Sequence, residues 1–336
     1  MATYHPGPRN LITDIDGILI GHATDEKACT GVTVLQCEHR MTAAVDVRGG
    51  GPGTRETDVL APENLVDQID AIVLSGGSVF GLAAADGVTA ELSHRGLGLN
   101  LSNGRNPAIP IVPAAILHDL GNAGDKNWGT HPPYQNLGRE ALSVVNKHFE
   151  LGAVGAGKGA RAGTFAGGIG STSIVLEDDI VVGALVAVNP IGSAVLPDGI
   201  TFYAWPYEQD GEFGNQAPPQ KFDLSDPFPE LSRLHAEGRD QARSNTTLAI
   251  VATSLELTRV ELQRVAIMAQ DGMARAIRPA HAPFDGDVVF AVSSATTTLD
   301  GEPSDAKRSR AVARIGSAAA DCLARAIARG VFEAKQ

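Results

Sequence analysis

Cysteine is scarce in this 336-residue chain. Cys29, Cys37 and Cys322 are an odd number and contain no C-x-x-C pair. That argues against a disulfide framework or a structural zinc site and fits a reducing cytoplasm. Positive charge is also short: 27 Lys plus Arg face 39 Asp plus Glu, for a formal net charge of −12. Without a basic block, the chain is a poor binder of nucleic acid or anionic membrane. No apolar run reaches the about 20 residues that span a bilayer. The opening stretch MATYHPGPRN lacks the basic and apolar regions of a signal peptide. Cys37, Glu38 and His39 are adjacent, but neighbouring strand residues point to opposite faces, so they are not read as metal ligands.

What is present is an ordinary globular apolar fraction and enough chain to bury a core. Apolar runs rich in β-branched residues recur: GVTVLQ (31–36), AIVL (71–74), 171–189, TTLAIVATS (246–254) and GDVVFAVSS (286–294). The run 171–189 folds back at Glu177-Asp178-Asp179, a hairpin signal. Three segments have helical periodicity, 78–96, 258–277 and 304–332. The second opens with Thr258 and Glu261 in capping-box spacing. Strands and helices do not alternate strictly, which argues against a doubly wound or barrel pattern. The expectation is one α+β domain over 1–336, with helices outside and sheets inside. Residues 202–245 stand apart, with proline, charge and little periodicity. So long a structureless loop is either functional or a linker.

Several motifs carry chemistry only in part. GAVGAGKG (152–159) nearly matches a phosphate-binding loop, but Gly159 replaces the magnesium-binding hydroxyl and no clear strand precedes it. It is read as a glycine-rich wall beside a site. Ser78 lacks the second glycine of a nucleophile elbow and is read as a helix cap. Asn245-Thr246-Thr247 stands where the irregular segment meets an apolar strand. It suits a turn, a glycosylation sequon or a cleavage point. Asp285 and Asp287 flank Gly286 before another strand. If extended they share a face, and mutual repulsion raises one pKa, as suits proton transfer. A plain Asp-Gly turn is the alternative. Asn189 ends a strand before Pro190; its amide could donate to an oxyanion or simply close a turn.

Taken in order, SGGSVFGLAAADGV, VGAGKGARAGTFAGGIG, VNPIG, NTTLAIVATS and FDGDVVFAV resemble one family. It is the self-processing hydrolases that include DmpA-type aminopeptidases, β-peptidyl aminopeptidases and nylon-oligomer (6-aminohexanoate-oligomer) endo-hydrolases. The resemblance spans the chain from about Leu11 to the final helix. It implies a four-layer αββα fold like that of N-terminal-nucleophile hydrolases. It also implies self-cleavage between Asn245 and Thr246 into 1–245 and 246–336, pieces that stay associated, and homo-oligomers such as tetramers of αβ units. Thr246 is then the nucleophile, Asn189 an oxyanion donor, and Asp285 and Asp287 the supporting acids. Threonine with two aspartates follows the nylon-oligomer branch, which implies short linear amides as substrates; the aminopeptidase branch uses serine, serine and glutamate. The family's lysine is not matched in AGTFAGG, where Thr164 and Ala166 stand, although Lys158 and Arg161 lie nearby. Its helper tyrosine falls at His118. No metal or organic cofactor is implied. Rival readings are an aminopeptidase on D-, L- or β-amino-acid amides, an ornithine acetyltransferase-like acyl transferase, and a non-catalytic binding protein in which 202–245 is only a linker.

Overall fold

Two apolar faces on nearly every strand demand cover on both sides. A computed structural model describes residues 4–101, 106–221, 223–235, 245–299, 301 and 304–335. Its strands are β1 (Ile18–Asp25), β2 (Thr30–Val47), β3 (Thr54–Arg55), β4 (Gln68–Ser75), β5 (Ala114–Ile116), β6 (Arg161–Ala162), β7 (Phe165–Ala166), β8 (Ile169–Val175), β9 (Val181–Asn189), β10 (Thr246–Leu255) and β11 (Val288–Thr297). The helices are α1 (Ala83–His94), α2 (Tyr134–Ser143), α3 (Arg259–Ala276) and α4 (Asp305–Glu333). Hydrogen bonding runs β3-β5-β4-β2-β11-β10-β9-β8, with β1 also on β2; β6 and β7 form a separate ribbon. β10–β11 and β4–β5 are parallel pairs, and the others are antiparallel.

The sheet is continuous in bonding but doubled in space. The alternation of side chains shows it. On β9, β10 and β11, one face (Val186, Val251, Val289) packs under α3 and α4, and the other (Leu185, Ile250, Phe290) enters a central core. On β4, Leu74 enters that central core while Val73 faces α1 and α2. β2 belongs to both layers. Its early residues Val32 and Val34 face α1 and α2, and its later Ala44 faces the α3–α4 side. The β2–β4 register slips between Gln36 and Met41, where the long strand changes layer. The result is the four-layer αββα arrangement that the family resemblance implies.

Local chemistry explains several element ends. Thr258 and Glu261 form the expected reciprocal cap of α3. Residues 177–179 turn β8 back onto β9 as expected. Ser78 corrects the sequence reading. Gly77, with φ 84°, precedes a short 3-10 turn over 78–82, Ser78 itself has φ 53°, and α1 starts only at Ala83 with no side-chain cap. β1 and α2 were not singled out from the sequence. α2 follows His131-Pro132-Pro133, and proline at its threshold masks its periodicity.

The segment after Asn189 is irregular yet docked. Phe202 and Phe213 are fully buried, edge to face at 5.6 Å. Glu212 meets the buried Arg325 of α4 through Nε at 2.5 Å and Nη2 at 2.9 Å. Arg325 also donates to the Ser173 carbonyl and the Asn10 side chain. A passive linker would not bury two aromatic rings and an ion pair. Arg325→Met strands a buried carboxylate, so it should cost about 3–5 kcal/mol. Urea unfolding of the parent and the variant measures it. A cost below about 1 kcal/mol would rank this pair with exposed salt bridges.

Candidate active site

The ends of three adjacent strands converge on one junction. Thr246 opens β10 and lies opposite Asn189, the last residue of β9, in the antiparallel register. Thr246 and Asn245 are both buried. The Thr246 hydroxyl donates to the carbonyl oxygen of Asn245, its own predecessor. The first residue of a buried strand thus brings its hydroxyl against the peptide group it would attack.

Asp285 and Asp287 precede β11 rather than belonging to it, so their shared orientation comes from a turn. Both are buried. Asp285 accepts from the amides of Ile191 at 3.1 Å and Ala282 at 3.0 Å. Asp287 Oδ1 accepts from the amide of Thr247 at 2.8 Å, one residue past the candidate nucleophile. Its Oδ2 accepts from the His281 amide at 3.0 Å and lies 2.8 Å from His281 Nδ1. The residue between the aspartates has to be glycine. A Cβ on Gly286 would stand 2.6 Å from Thr246 Oγ1. The end of β2 clamps this turn from behind: Arg48 N donates to the Asp287 carbonyl and Gly51 N to that of Asp285. Burial, then the neighbouring Asp287 charge, pushes the Asp285 carboxyl up to about 7. Two carboxylates this close, away from water, resist joint ionisation, so the pair can hold a proton near neutral pH.

The Asn189 amide is fixed at both ends. Its Oδ1 accepts from the Arg161 amide at 2.9 Å and from Asn122 Nδ2 and Arg233 Nη2, each at 3.4 Å. Its Nδ2 donates to the His118 carbonyl at 3.2 Å. His118 therefore reaches the site through its backbone, while its ring Nδ1 is buried without a hydrogen-bond partner. Lys158 is turned elsewhere: its ammonium lies 2.6 Å from Glu26. The glycine-rich run does approach the site by its backbone. The Gly159 carbonyl accepts from Asn122, the residue that also touches Asn189. No α-helix follows this run at 155–159, as a phosphate-binding loop would need.

Arg233, His281, Asn122 and Asp119 were not found by sequence reasoning. Asp119 accepts from Thr30 Oγ1 at 2.6 Å and the Gly77 amide at 2.8 Å, and burial raises its pKa. It anchors the turn that presents His118 and Asn122. His281 lies four residues before Asp285, and Asp119 and Asn122 lie one and four residues after His118, so only Arg233 stood apart from every residue the sequence had singled out. Among the described residues, no group of three or more His, Cys, Asp or Glu side chains is placed to hold a metal. Among them, too, no helix is long and apolar enough to cross a membrane.

Comparison with known proteins bears on family and fold. The model of peptidase family S58 matches residues 10–336. An uncharacterized aminopeptidase of Mycobacterium tuberculosis is 40% identical over 97% of this chain and 94% of its own length. A 6-aminohexanoate-oligomer endohydrolase of Agromyces is 30% identical over 90% of this chain and 79% of its own. Among solved structures, the L-aminopeptidase D-Ala-esterase/amidase of Ochrobactrum anthropi, described as a variant of the Ntn hydrolase fold, superposes with a TM-score of 0.72. It shares 20% identity and covers 99% of this chain and 88% of that one. A β-aminopeptidase of Burkholderia has a TM-score of 0.69 and 21% identity, covering 98% and 88%.

Proposed function

This chain belongs to peptidase family S58 and is a hydrolase of amide bonds, and from that premise we propose that it activates itself by cleavage before Thr246. One observation carries the reading: a buried threonine hydroxyl lies on its own preceding carbonyl, with Asn189 opposite and the aspartate turn beside it.

In the precursor, Thr246 Oγ attacks the Asn245 carbonyl carbon and the C–N bond breaks. The acyl group moves to oxygen, and the proton moves to the departing nitrogen. Water opens the ester, leaving a carboxylate on Asn245 and a free amine on Thr246. An α-amine has a pKa near ~8, low enough to take the hydroxyl proton at neutral pH. The cut thus creates a base beside the nucleophile. With substrate, Thr246 Oγ attacks the amide carbon, the C–N bond breaks, and the amine leaves with the proton that the α-amine took from the hydroxyl; water then hydrolyses the acyl-enzyme, releasing the acid and restoring the hydroxyl. Asn189 Nδ2 stabilises the oxyanion by exchanging its bond to the His118 carbonyl. Asp287 orients the start of β10, and Asp285 exchanges protons.

The substrates are short linear amides such as 6-aminohexanoate oligomers, as the Agromyces relative's name suggests. Aminopeptidase activity is the second reading, favoured by the names of relatives with 40% identity. We further propose that the pieces 1–245 and 246–336 stay together in the cytoplasm as tetramers of αβ units.

A denaturing gel with N-terminal sequencing tests the cut; the smaller band should begin Thr-Thr-Leu-Ala. A fully active chain that stays whole would overturn the mechanism. Oligomers with blocked amino ends separate the two substrate readings. Internal cleavage of blocked oligomers supports the endo-hydrolase, whereas release from free ends alone supports the aminopeptidase.

A further inference from the structure

We propose that Arg233 is a positioning residue for the reaction at Thr246: its guanidinium aligns the Asn189 amide and keeps a fixed positive charge beside Asp285. This rests on Thr246 being the nucleophile. Arg233 comes from the irregular segment, thirteen positions before Thr246 in the sequence. It is nonetheless 92% removed from solvent, with a residual exposure of 8%. One nitrogen, Nη2, reaches the carbonyls of Asn189 at 3.0 Å, Pro190 at 2.9 Å and Arg161 at 3.2 Å, and Asn189 Oδ1 at 3.4 Å. Its own amide donates to the Ile191 carbonyl at 2.8 Å. Ile191 in turn gives its amide to Asp285. One residue therefore ties these together: its side chain holds the end of β9 and the oxyanion donor, and its backbone amide holds the Ile191 peptide that supports the acid.

The alignment follows from donor and acceptor chemistry. A guanidinium only donates, so it selects the amide orientation that turns Oδ1 towards it. Nδ2 must then point the other way, where His118 now accepts it and an oxyanion later could. The Arg161 amide selects the same orientation. A cation is an expensive way to fill this space. Burial lowers the Arg233 pKa to about 10, even though the Asp285 charge opposes the fall. Its Nε is buried without a hydrogen-bond partner. A methionine would fill the same volume without that penalty, which points to a use for the charge.

Among the described residues, few charged groups act on Asp285. Asp287 faces it from the same turn, with His281 on the far side of Asp287, and Arg233 faces it from the irregular segment. Arg161 acts on Arg233 from β6, while its guanidinium bonds the Thr164 carbonyl. Removing Arg233 leaves Asp287 and, in the cut enzyme, the Thr246 α-amine as the charged groups acting on Asp285. With one cation gone, both Asp285 and the amine hold their protons to higher pH.

The test compares Arg233→Met and Arg233→Lys with the parent, each purified as the self-cut enzyme. N-terminal sequencing gives the cut fraction, and kcat and KM are read from pH 5.5 to 9 on one amide oligomer. For R233M, kcat should fall about 10- to 100-fold, the range of a lost charged hydrogen bond, with KM little changed. Its acid limb should move up by about one pH unit. Added guanidinium ion should restore part of kcat and return the limb. R233K keeps the charge, so its limb should stay while kcat falls. If R233M does not fold, the R233K limb and its lowered kcat decide alone. An unmoved limb in R233M with no response to guanidinium, or an R233K matching the parent in kcat, would overturn the proposal. An uncut but active parent enzyme would instead strike the Thr246 reading, so the two failures are distinct.

Discussion

Thr246→Ala should leave the chain in one piece and reduce amide hydrolysis by at least about 10⁴-fold, the scale of losing a covalent nucleophile. The expectation rests on two losses from one atom. Without Oγ there is no attack on Asn245, so the precursor is never opened. Without opening there is no α-amine, so no base forms even for an external nucleophile. The fold should survive. The Thr246 hydroxyl bonds to its own neighbouring carbonyl, and the strand pairing of β10 uses backbone groups. A stability change of about 1 kcal/mol is the scale for such a buried trimming. Thr246→Ser keeps the hydroxyl and should still be cut. The measurement is a gel time course beside an activity assay. An intact Thr246→Ala chain with parental activity would refute the nucleophile. A cut one would place processing on another group.

The second large effect concerns Asn189. Asn189→Ala should lower kcat about 10²- to 10³-fold while KM changes little, because the donor acts on charge that develops only in the transition state. Alanine also removes the acceptor used by the Arg161 amide. Asn189→Asp separates the two roles, since a carboxylate keeps the acceptor and loses the donor. It should lose kcat as severely as N189A. If N189D kept parental kcat, Asn189 would be a structural turn residue and the oxyanion would need another donor. Self-cleavage passes through the same kind of tetrahedral species, so both variants should also be cut slowly.

The sequence exposes those parts of the site that lie where a pattern breaks. Thr246, Asn189 and the aspartate pair stand where apolar strands begin or end. A polar residue there interrupts a hydrophobic run and invites a question. That helices lie outside and sheets inside was legible because strands and helices do not alternate strictly; the four layers were implied by the family resemblance. Arg233 and His281 left no such mark. Both reach the site from irregular chain; the segment that carries Arg233 is docked by packing elsewhere, Phe202 on Phe213 and Glu212 on Arg325. Lys158 shows the converse. It sits in the run that borders the site, but the chain enters there by its Gly159 carbonyl and the lysine turns to Glu26. The passage of β2 through both layers depends on a register slip at a charged stretch, and composition gave no sign of it.

β10 and β11 lie side by side in the middle of the sheet, with β2 on one flank and β9 on the other. Both outer neighbours come from before Thr246, and both inner strands come from after it. A break there would make the last ninety or so residues a wedge holding apart the two halves of the remainder. Before the break, loss of the wedge is a reversible event within one molecule. Afterwards, finding it again requires a collision, so recovery from full unfolding becomes dependent on concentration. The endurance of such an enzyme is then a matter of escape rate more than of equilibrium. Activation would also be the last moment at which the chain could assemble unaided by mass action.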